Sequence, residues 1–397
     1  MMDDELQVLG TERTKKKYNK VAIAVIALAV VIAIVGGLFY VTSTKQPEKI
    51  ETGKKIGDAT ILPELQKATD SLLTATLKKY DGLQGQAIVM EVQTGEILAM
   101  VGLERNFKGE YQPCKNFAHQ QEPGTLMHAV SLLAVLETGK MKLSDMVDAR
   151  QGVIDVGTDD YLKDRNWREG GYGEITLGRA LEVGSNIGIG EAVFKIFGNK
   201  QQDYFDMLNK MNFGQLEGIE GIDTLKPSRY NSSKDSDWTK PRLWWSAIGY
   251  ERIMSPIQML TFYNAIANDG KMVKPTLKTG VVEIINQQIA SKANIDSMQV
   301  ALERVVSNGV GRKAGTPLLH VAGGVGHSEV ECLFYPNVME EYQLSFCGYF
   351  PAFEPKYSII VSMNKLGFPA SAGMVTPVFR QITEWMITHD MLTKERK

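Results

Sequence analysis

Residues 121–139 read QEPGTLMHAVSLLAVLETG, and this stretch decides the fold. After the Pro123-Gly124 turn signal, Leu126, Met127, Val130, Leu132, Leu133, Val135 and Leu136 put apolar side chains on nearly every side of a helical wheel. Residues 125–138 are therefore expected to form a helix that stops at Gly139. With no face to give to water, such a helix belongs in the middle of a domain. The flanking chain must supply its cover.

Upstream, a helix opens near Pro63 with Leu65, Ala68, Leu72 and Ala75 along one side, and it ends before Asp81-Gly82. Residues 87–92 and 97–101 are β-rich runs separated by Gln93-Thr94-Gly95-Glu96, a hairpin signal. Downstream, helices are expected from Thr176, Ser255-Pro256 and Thr376-Pro377, each with a residue suited to the N-cap. Another should run from Asp296 or Ser297 to Asn308-Gly309. Residues 343–350 and 357–363 form a second hairpin-like pair. Strands near both chain ends with helices between them imply one sheet assembled from both ends. The fold class is α+β: a mainly antiparallel sheet flanked by helices, with an inserted helical subdomain.

The 397 residues are 44% hydrophobic and 23% charged, with 44 Lys+Arg against 46 Asp+Glu for a net charge of −2. This composition excludes a disordered chain, a collagen-like repeat and a multi-span membrane protein, and it leaves no electrostatic footprint for nucleic acid. Residues 21–41, VAIAVIALAVVIAIVGGLFYV, carry no charge and are long enough as a helix to cross a hydrocarbon core of about 30 Å. The run ends in bulky Leu38-Phe39-Tyr40-Val41 rather than in the small residues of a cleavage site, so it is read as a single-pass anchor. Arg13, Lys15, Lys16, Lys17 and Lys20 precede it and fewer basic residues follow closely. Positive-inside bias then puts residues 1–20 in the cytoplasm and the body in the periplasmic or extracytoplasmic space of the plasma (inner) membrane. Residues 21–42 are assigned to the membrane helix, 43–57 to a polar linker and 58–397 to the body. Cys114, Cys332 and Cys347 make no disulfide framework and lack a zinc spacing. Cys332 and Cys347 are placed to face each other across a hairpin, though two buried free thiols are the simpler reading.

Several blocks resemble one family. GQAIVMEVQTGEILAMV resembles the opening hairpin of the transpeptidase domain of penicillin-binding proteins, and QEPGTLMHAVSLLAVLETG its nucleophile segment, usually EPGS-x-x-K before an apolar helix. WWSAIGYERIMSPIQMLTFYNAIANDGKMVKP resembles that family's "IGYG…TPLQLA…ANGG…VKP" block; SFCGYFPAFEPKYSIIVSMN and TPVFRQITEWM resemble its late strand pair and final helix. The blocks run in order from about residue 60 to 390. The resemblance implies a β-lactamase/transpeptidase-like fold and a D,D-transpeptidase of peptidoglycan, with penicillin binding. In that chemistry a serine is activated by a lysine one helical turn on, an S-x-N loop relays a proton, and a K-T-G strand clamps the substrate carboxylate. Members of the division and elongation type usually carry a large N-terminal domain, and bifunctional members a glycosyltransferase; the short linker 43–57 leaves no place for either between anchor and body.

At the motif positions this chain departs from the pattern. Thr125 stands at the nucleophile and His128 at the lysine; S-x-N becomes Gly184-Ser185-Asn186; K-T-G becomes Gly324-Val325-Gly326. The separations, 59 residues from Thr125 to Gly184 and 140 from there to Gly324, suit the family. Thr125 with His128 as its base is one reading. The other is that Thr125 caps the central helix, His128 packs beside it and Asn186 is a structural amide. The second is preferred, because the charged or hydroxyl partner is missing from all three clusters at once. His327 is expected to point toward the same cleft as His128. A His128/His327 metal site with Glu122 or His119 is conceivable but lacks ligand spacing, and neither metal nor cofactor is expected. Trp244-Trp245 could line a glycan or peptide groove, though core and rim packing is the commoner role of such a pair. The sequence thus points to a membrane-anchored pseudoenzyme of cell-wall synthesis or cell division, with peptidoglycan stem peptide or other cell-wall synthesis proteins as partners. An active enzyme working through a Thr125–His128 dyad is the alternative.

Overall fold

The structure is a computed structural model that describes residues 60–114, 117–157, 161–219, 221–222, 224–330 and 340–392. The expected anchor (21–42), its linker and Cys332 lie outside the described residues, and no described helix is long and apolar enough to cross a membrane. Helix α1 (Pro63–Tyr80) leads into strands β1 (Gln84–Glu91), β2 (Ile97–Arg105) and β3 (Tyr111–Pro113). Then come α2 (Met127–Glu137), α3 (Leu177–Val183), α4 (Asn186–Phe197), α5 (Gln202–Lys210), α6 (Arg242–Ala247), α7 (Pro256–Ala267) and α8 (Lys292–Ser307). Strands β4 (Ala322–Val330), β5 (Glu341–Phe350) and β6 (Tyr357–Leu366) precede α9 (Thr376–Thr388).

The six strands make one antiparallel sheet in the order β4-β5-β6-β1-β2-β3. The two chain ends meet where β1 pairs with β6, from Gln84 opposite Asn364 to Glu91 opposite Tyr357. Strand alternation divides the sheet's side chains between two cores. Ile88, Met90, Cys347 and Ile360 join the cluster around α2 and α7, whereas Ala87, Val89, Phe346 and Val361 join the cluster under α1 and α9. The result is three layers: α1 and α9, the sheet, and the helical body.

Three expectations are corrected. The buried line of α1 is Leu65, Thr69, Leu73 and Leu77, not Leu65, Ala68, Leu72 and Ala75. A strict i, i+4 row carries the larger leucines inward and leaves Ala75 exposed. The final helix has Thr376 inside its first turn and Val375, without a side-chain cap bond, at the N-cap. Helix α8 starts at Lys292, four residues before the expected Asp296, because its N-terminus is held from elsewhere. Glu137, the last residue of α2, accepts hydrogen bonds at Oε1 from the Ser291 backbone N–H (2.8 Å), Ser291 Oγ (2.7 Å) and Asn294 Nδ2 (2.6 Å). No local pattern announces a cap donated by a residue 154 positions away. Cys347 is a buried free thiol, and Cys114 is half-buried.

Burial by itself would raise the Glu137 carboxyl, but the Asn294 and Ser291 hydrogen bonds outweigh it and hold the group below the usual carboxylate range. A depressed carboxylate contributes stability above its unfolded pKa and loses it as pH falls through the folded value. Glu137→Ala is therefore expected to destabilise by about 1–3 kcal/mol at neutral pH, the range for charge-assisted hydrogen bonds. The deficit against the parent should shrink as urea unfolding is repeated toward pH 3–4, roughly where carboxylates protonate.

Candidate active site

The site is built around a close stack of backbone. Gly124 has φ +55, and a Cβ there would lie 2.2 Å from the His327 carbonyl oxygen; a Cβ on Gly249, φ +99, would lie 2.0 Å from the Gly124 oxygen. Only glycine fits at either place. The stack seats the turn before α2 against β4, an edge strand of the sheet. Residues 124–126 form a single 3-10 turn, so the α-helix proper begins at Met127 rather than at 125. Thr125 is not its cap, since Leu126 holds the N-cap position with no side-chain bond. Instead Thr125 Oγ1 donates to the Val325 carbonyl (2.9 Å) and accepts from the His327 N–H (3.1 Å). One hydroxyl thereby occupies an outward-facing carbonyl and amide of the edge strand.

His128 is 2% exposed. Its Nε2 bonds Asn186 Oδ1 at 3.0 Å, and Asn186 Nδ2 donates to the Lys163 carbonyl at 2.8 Å. The amide nitrogen is a donor here, so Oδ1 accepts and the imidazole carries its proton on Nε2, an assignment that follows from the network. Burial pushes the imidazole down to about 4, with the Asn186 bond opposing. It is neutral at physiological pH. Neither bond of the Thr125 hydroxyl goes to it.

Gly184 ends α3 in the left-handed region at φ +66. Ser185 caps α4 by accepting from the Gly188 N–H (2.9 Å) and donates to Asp164 Oδ2 (2.7 Å), so its hydroxyl is used within the loop. Of this triplet only Asn186 reaches the nucleophile's helix. It does so through the His128 bond.

In β4, Gly324, Gly326 and Ser328 face α2 and α7, while Val325 and His327 face the other core. A Cβ on Gly324 would sit 2.3 Å from Tyr263 Oη, and Tyr263 Oη donates to the Leu126 carbonyl at 3.0 Å. Tyr263 thus fills the space in which the family's strand lysine would start. A Cβ on Gly326 would sit 2.0 Å from Ser345 Oγ. His327 stacks on Tyr342 at 5.5 Å between ring centroids and 26° between planes. The expectation that His327 shares a cleft with His128 is therefore corrected: strand alternation puts it on the opposite face. Among the described residues no three of His, Cys, Asp and Glu gather as a metal site.

Beside this cluster lies an open cleft of about 1270 Å³ whose walls include Glu122, Tyr161, Asn231, Arg242, Trp245, Tyr250 and Glu251. Thr125 and His128 do not line it. The Trp244-Trp245 pair is split: Trp244 is buried against Phe194 (5.2 Å), and Trp245 lines the cleft edge-on to Tyr250 (5.6 Å, 86°). Tyr250 Oη accepts from the Glu329 N–H at 3.3 Å, taking another outward amide of β4. Burial pushes the Glu122 carboxyl up to about 7; the Glu251 N–H it accepts (3.2 Å) opposes this and the Glu251 charge adds to it. Sequence reasoning missed Tyr263, which reads as core in an apolar helix. It also missed Glu251, although the signal was present: IGYE stands where the resembling block has IGYG.

A family model described as penicillin binding protein transpeptidase domain matches residues 85–384. A peptidoglycan D,D-transpeptidase FtsI homolog of Mesostigma viride is 23% identical over 399 residues, covering 90% of this chain and 65% of that protein. Stage V sporulation protein D of Bacillus subtilis is 25% identical over 305 residues, covering 70% of this chain and 45% of that one. The chain therefore spans between 45% and 65% of these relatives' lengths. Among solved structures, the TP domain of Burkholderia pseudomallei penicillin-binding protein 3 superposes with a TM-score of 0.69 at 23% identity, over 85% of this chain and 96% of that one. That likeness is one of fold.

Because the His128 imidazole is held neutral in the folded state, the unfolded chain binds more protons between the ordinary histidine value and about 4. His128 thus contributes stability above the unfolded pKa that is lost as pH falls through the folded one. The loss should reach up to about 3 kcal/mol across that window, taking about 1.4 kcal/mol per pKa unit. Urea unfolding between pH 7 and 4 should show it, and His128→Gln, which keeps a donor for Asn186, should flatten that part of the profile.

Proposed function

The chain belongs to the penicillin-binding-protein transpeptidase family, and we propose that it serves peptidoglycan synthesis without acyl transfer, as a membrane-tethered binding or scaffolding partner. The observation that carries this reading is the bonding of Thr125. A nucleophilic hydroxyl needs a base to take its proton. Here the proton is directed at the Val325 carbonyl, and the nearest histidine in sequence is turned to Asn186. Two further features support it independently: Tyr263 stands where a strand lysine would be, and Ser185 is spent on a helix cap and on Asp164.

The edge of β4 bears on substrate as well. An exposed edge strand is a template for an extended peptide, which joins through main-chain hydrogen bonds. In this chain the Val325 carbonyl and the His327 and Glu329 amides are already bonded to Thr125 and Tyr250. A stem peptide would have to displace two side-chain hydroxyls before it could pair. Residues 21–41 supply the tether, with the body outside the plasma membrane on the charge bias of residues 13–20. A reporter fused at the C-terminus should be active only on the extracytoplasmic side.

Fluorescent penicillin is expected to label neither the parent chain nor Thr125→Ser nor His128→Lys, as read by gel fluorescence and intact mass. His128→Lys should also cost several kcal/mol in urea unfolding, since it places an ammonium at a site 2% exposed where the present side chain is paired with a neutral amide oxygen. A covalent adduct on Thr125, lost in Thr125→Ala, would restore the enzyme reading with its Thr125–His128 dyad.

A further inference from the structure

The cleft beside the motif positions contains a feature that neither the fold nor the dismantled chemistry requires. Glu251 sits in the left-handed region at φ +64, a conformation that costs a residue with a Cβ and that glycine takes freely. The family block quoted above has glycine at this position, and this chain has put a glutamate there. Its carboxylate is then fixed from several directions. Arg242 grips it with two parallel bonds, Nε to Oε1 and Nη2 to Oε2, both 2.7 Å, and Asn231 Nδ2 adds a third at 2.8 Å to Oε2. Arg242 is in turn anchored by Asp237 at 2.9 Å. A carboxylate has about four acceptor sites, so Oε1 keeps one available to a donor in the cleft.

Next to this polar edge stand two rings at right angles. The backbone ties them together, for the Tyr250 N–H donates to the Trp245 carbonyl at 3.0 Å. Trp245 is half-buried, and Tyr161, also on the cleft wall, is 53% exposed. A rigid aromatic platform joined to a preorganised polar edge suits a ligand that is apolar on its ring faces and rich in hydroxyls at its rim. The site does not suit an extended peptide, because the strand groups that would pair with its backbone are bonded to Thr125 and Tyr250. Nor does it select a polyanion: Arg242 is already matched by two carboxylates, and across the walls as a whole Arg229, Arg242 and Arg252 are balanced by Glu122, Glu251 and Glu329.

We propose that this cleft is a saccharide-binding site, in which Trp245 and Tyr250 stack on sugar rings and the Glu251–Arg242–Asn231 cluster hydrogen-bonds their hydroxyls. The ligand class is a neutral amino-sugar oligomer, the chemistry of a glycan strand. In naming that source the inference rests on the cell-wall role proposed above. Glu251 carries the specificity, and its strained backbone presents the carboxylate to the cleft.

Chitotetraose is the probe, titrated calorimetrically into the full chain in detergent. Saturable binding with a Kd of about 1 mM or tighter is expected, weakened at least tenfold in Trp245→Ala and in Glu251→Gly. Glu251→Gly separates a binding role from a structural one, because glycine relieves the backbone: this variant should melt close to the parent while losing the sugar. Absence of saturable binding, or binding unchanged in Glu251→Gly, overturns the proposal. Its failure is distinguishable from failure of the non-acylating reading. A chain that ignores chitotetraose and penicillin alike refutes the saccharide site alone. A penicillin adduct on Thr125 together with tight chitotetraose binding refutes the non-acylating reading and upholds the site.

Discussion

Helix α2 has no polar face, and the molecule is arranged around that constraint. Every residue from Met127 through Leu136 is buried, so the sheet must cover one side and helices the others. Each large apolar side chain withdrawn from water contributes about 1.5–3 kcal/mol, which makes this helix the centre of the larger core. The same burial dictates what its few polar residues can do. Ser131 donates to the Ala247 carbonyl (2.7 Å) and meets the Tyr204 hydroxyl (2.8 Å); His128 is matched to Asn186. Buried polar groups left unpaired cost about 1–3 kcal/mol each, so each of these is held by a partner on another element. A lysine in place of His128 would need an anionic or well-hydrated neighbour. The partner His128 has is a neutral amide oxygen.

The contact of Gly124 with β4 transmits this constraint to the sheet edge. Because the backbones of Gly249, Gly124 and His327 touch without intervening side chains, the Thr125 hydroxyl comes within bonding distance of two strand groups at once. Hydrogen bonds of this kind contribute about 1 kcal/mol apiece. Their larger consequence is that they close the edge. The Thr125 hydroxyl serves here as a side-chain substitute for a neighbouring strand. Tyr250 does the same one ladder step along, at the Glu329 amide.

The fold was legible because its decisive signals are local or periodic: the all-apolar helix, the two hairpins, the proline starts. Pairing of β1 with β6 followed from where the strands lie along the chain. Less legible was whatever depends on a partner far away in sequence. The start of α8 is set by Glu137, and the face of His327 by strand register, which turns alternate residues to opposite cores. At the site, the positions of Thr125, His128, Asn186 and Gly324 were readable from their order and spacing. What each does was not. The Thr125 bonds to β4 span some 200 residues, and Tyr263 enters from a helix that reads as plain core.

Backbone strain shows where the molecule has kept something under tension. Among the described residues, the non-glycine positions with left-handed backbone include Asp81, Asn212, Asp269 and Asp390, short polar types that tolerate it, at or just beyond helix ends. Arg150 and Glu251 are long side chains in the same conformation, which stores about 1–3 kcal/mol, and of the two it is Glu251 that lines the cleft. At the positions where the family's chemistry would operate, left-handed backbone falls to glycine, at Gly124 and Gly184. The polar groups there are satisfied within the fold. Strain is retained only where the surrounding structure holds it, and here the holding is done by Arg242 and Asn231 on the carboxylate and by Glu122 on the amide. The backbone is thus relaxed at the motif positions and under tension at the cleft wall, where the Glu251 carboxylate is held.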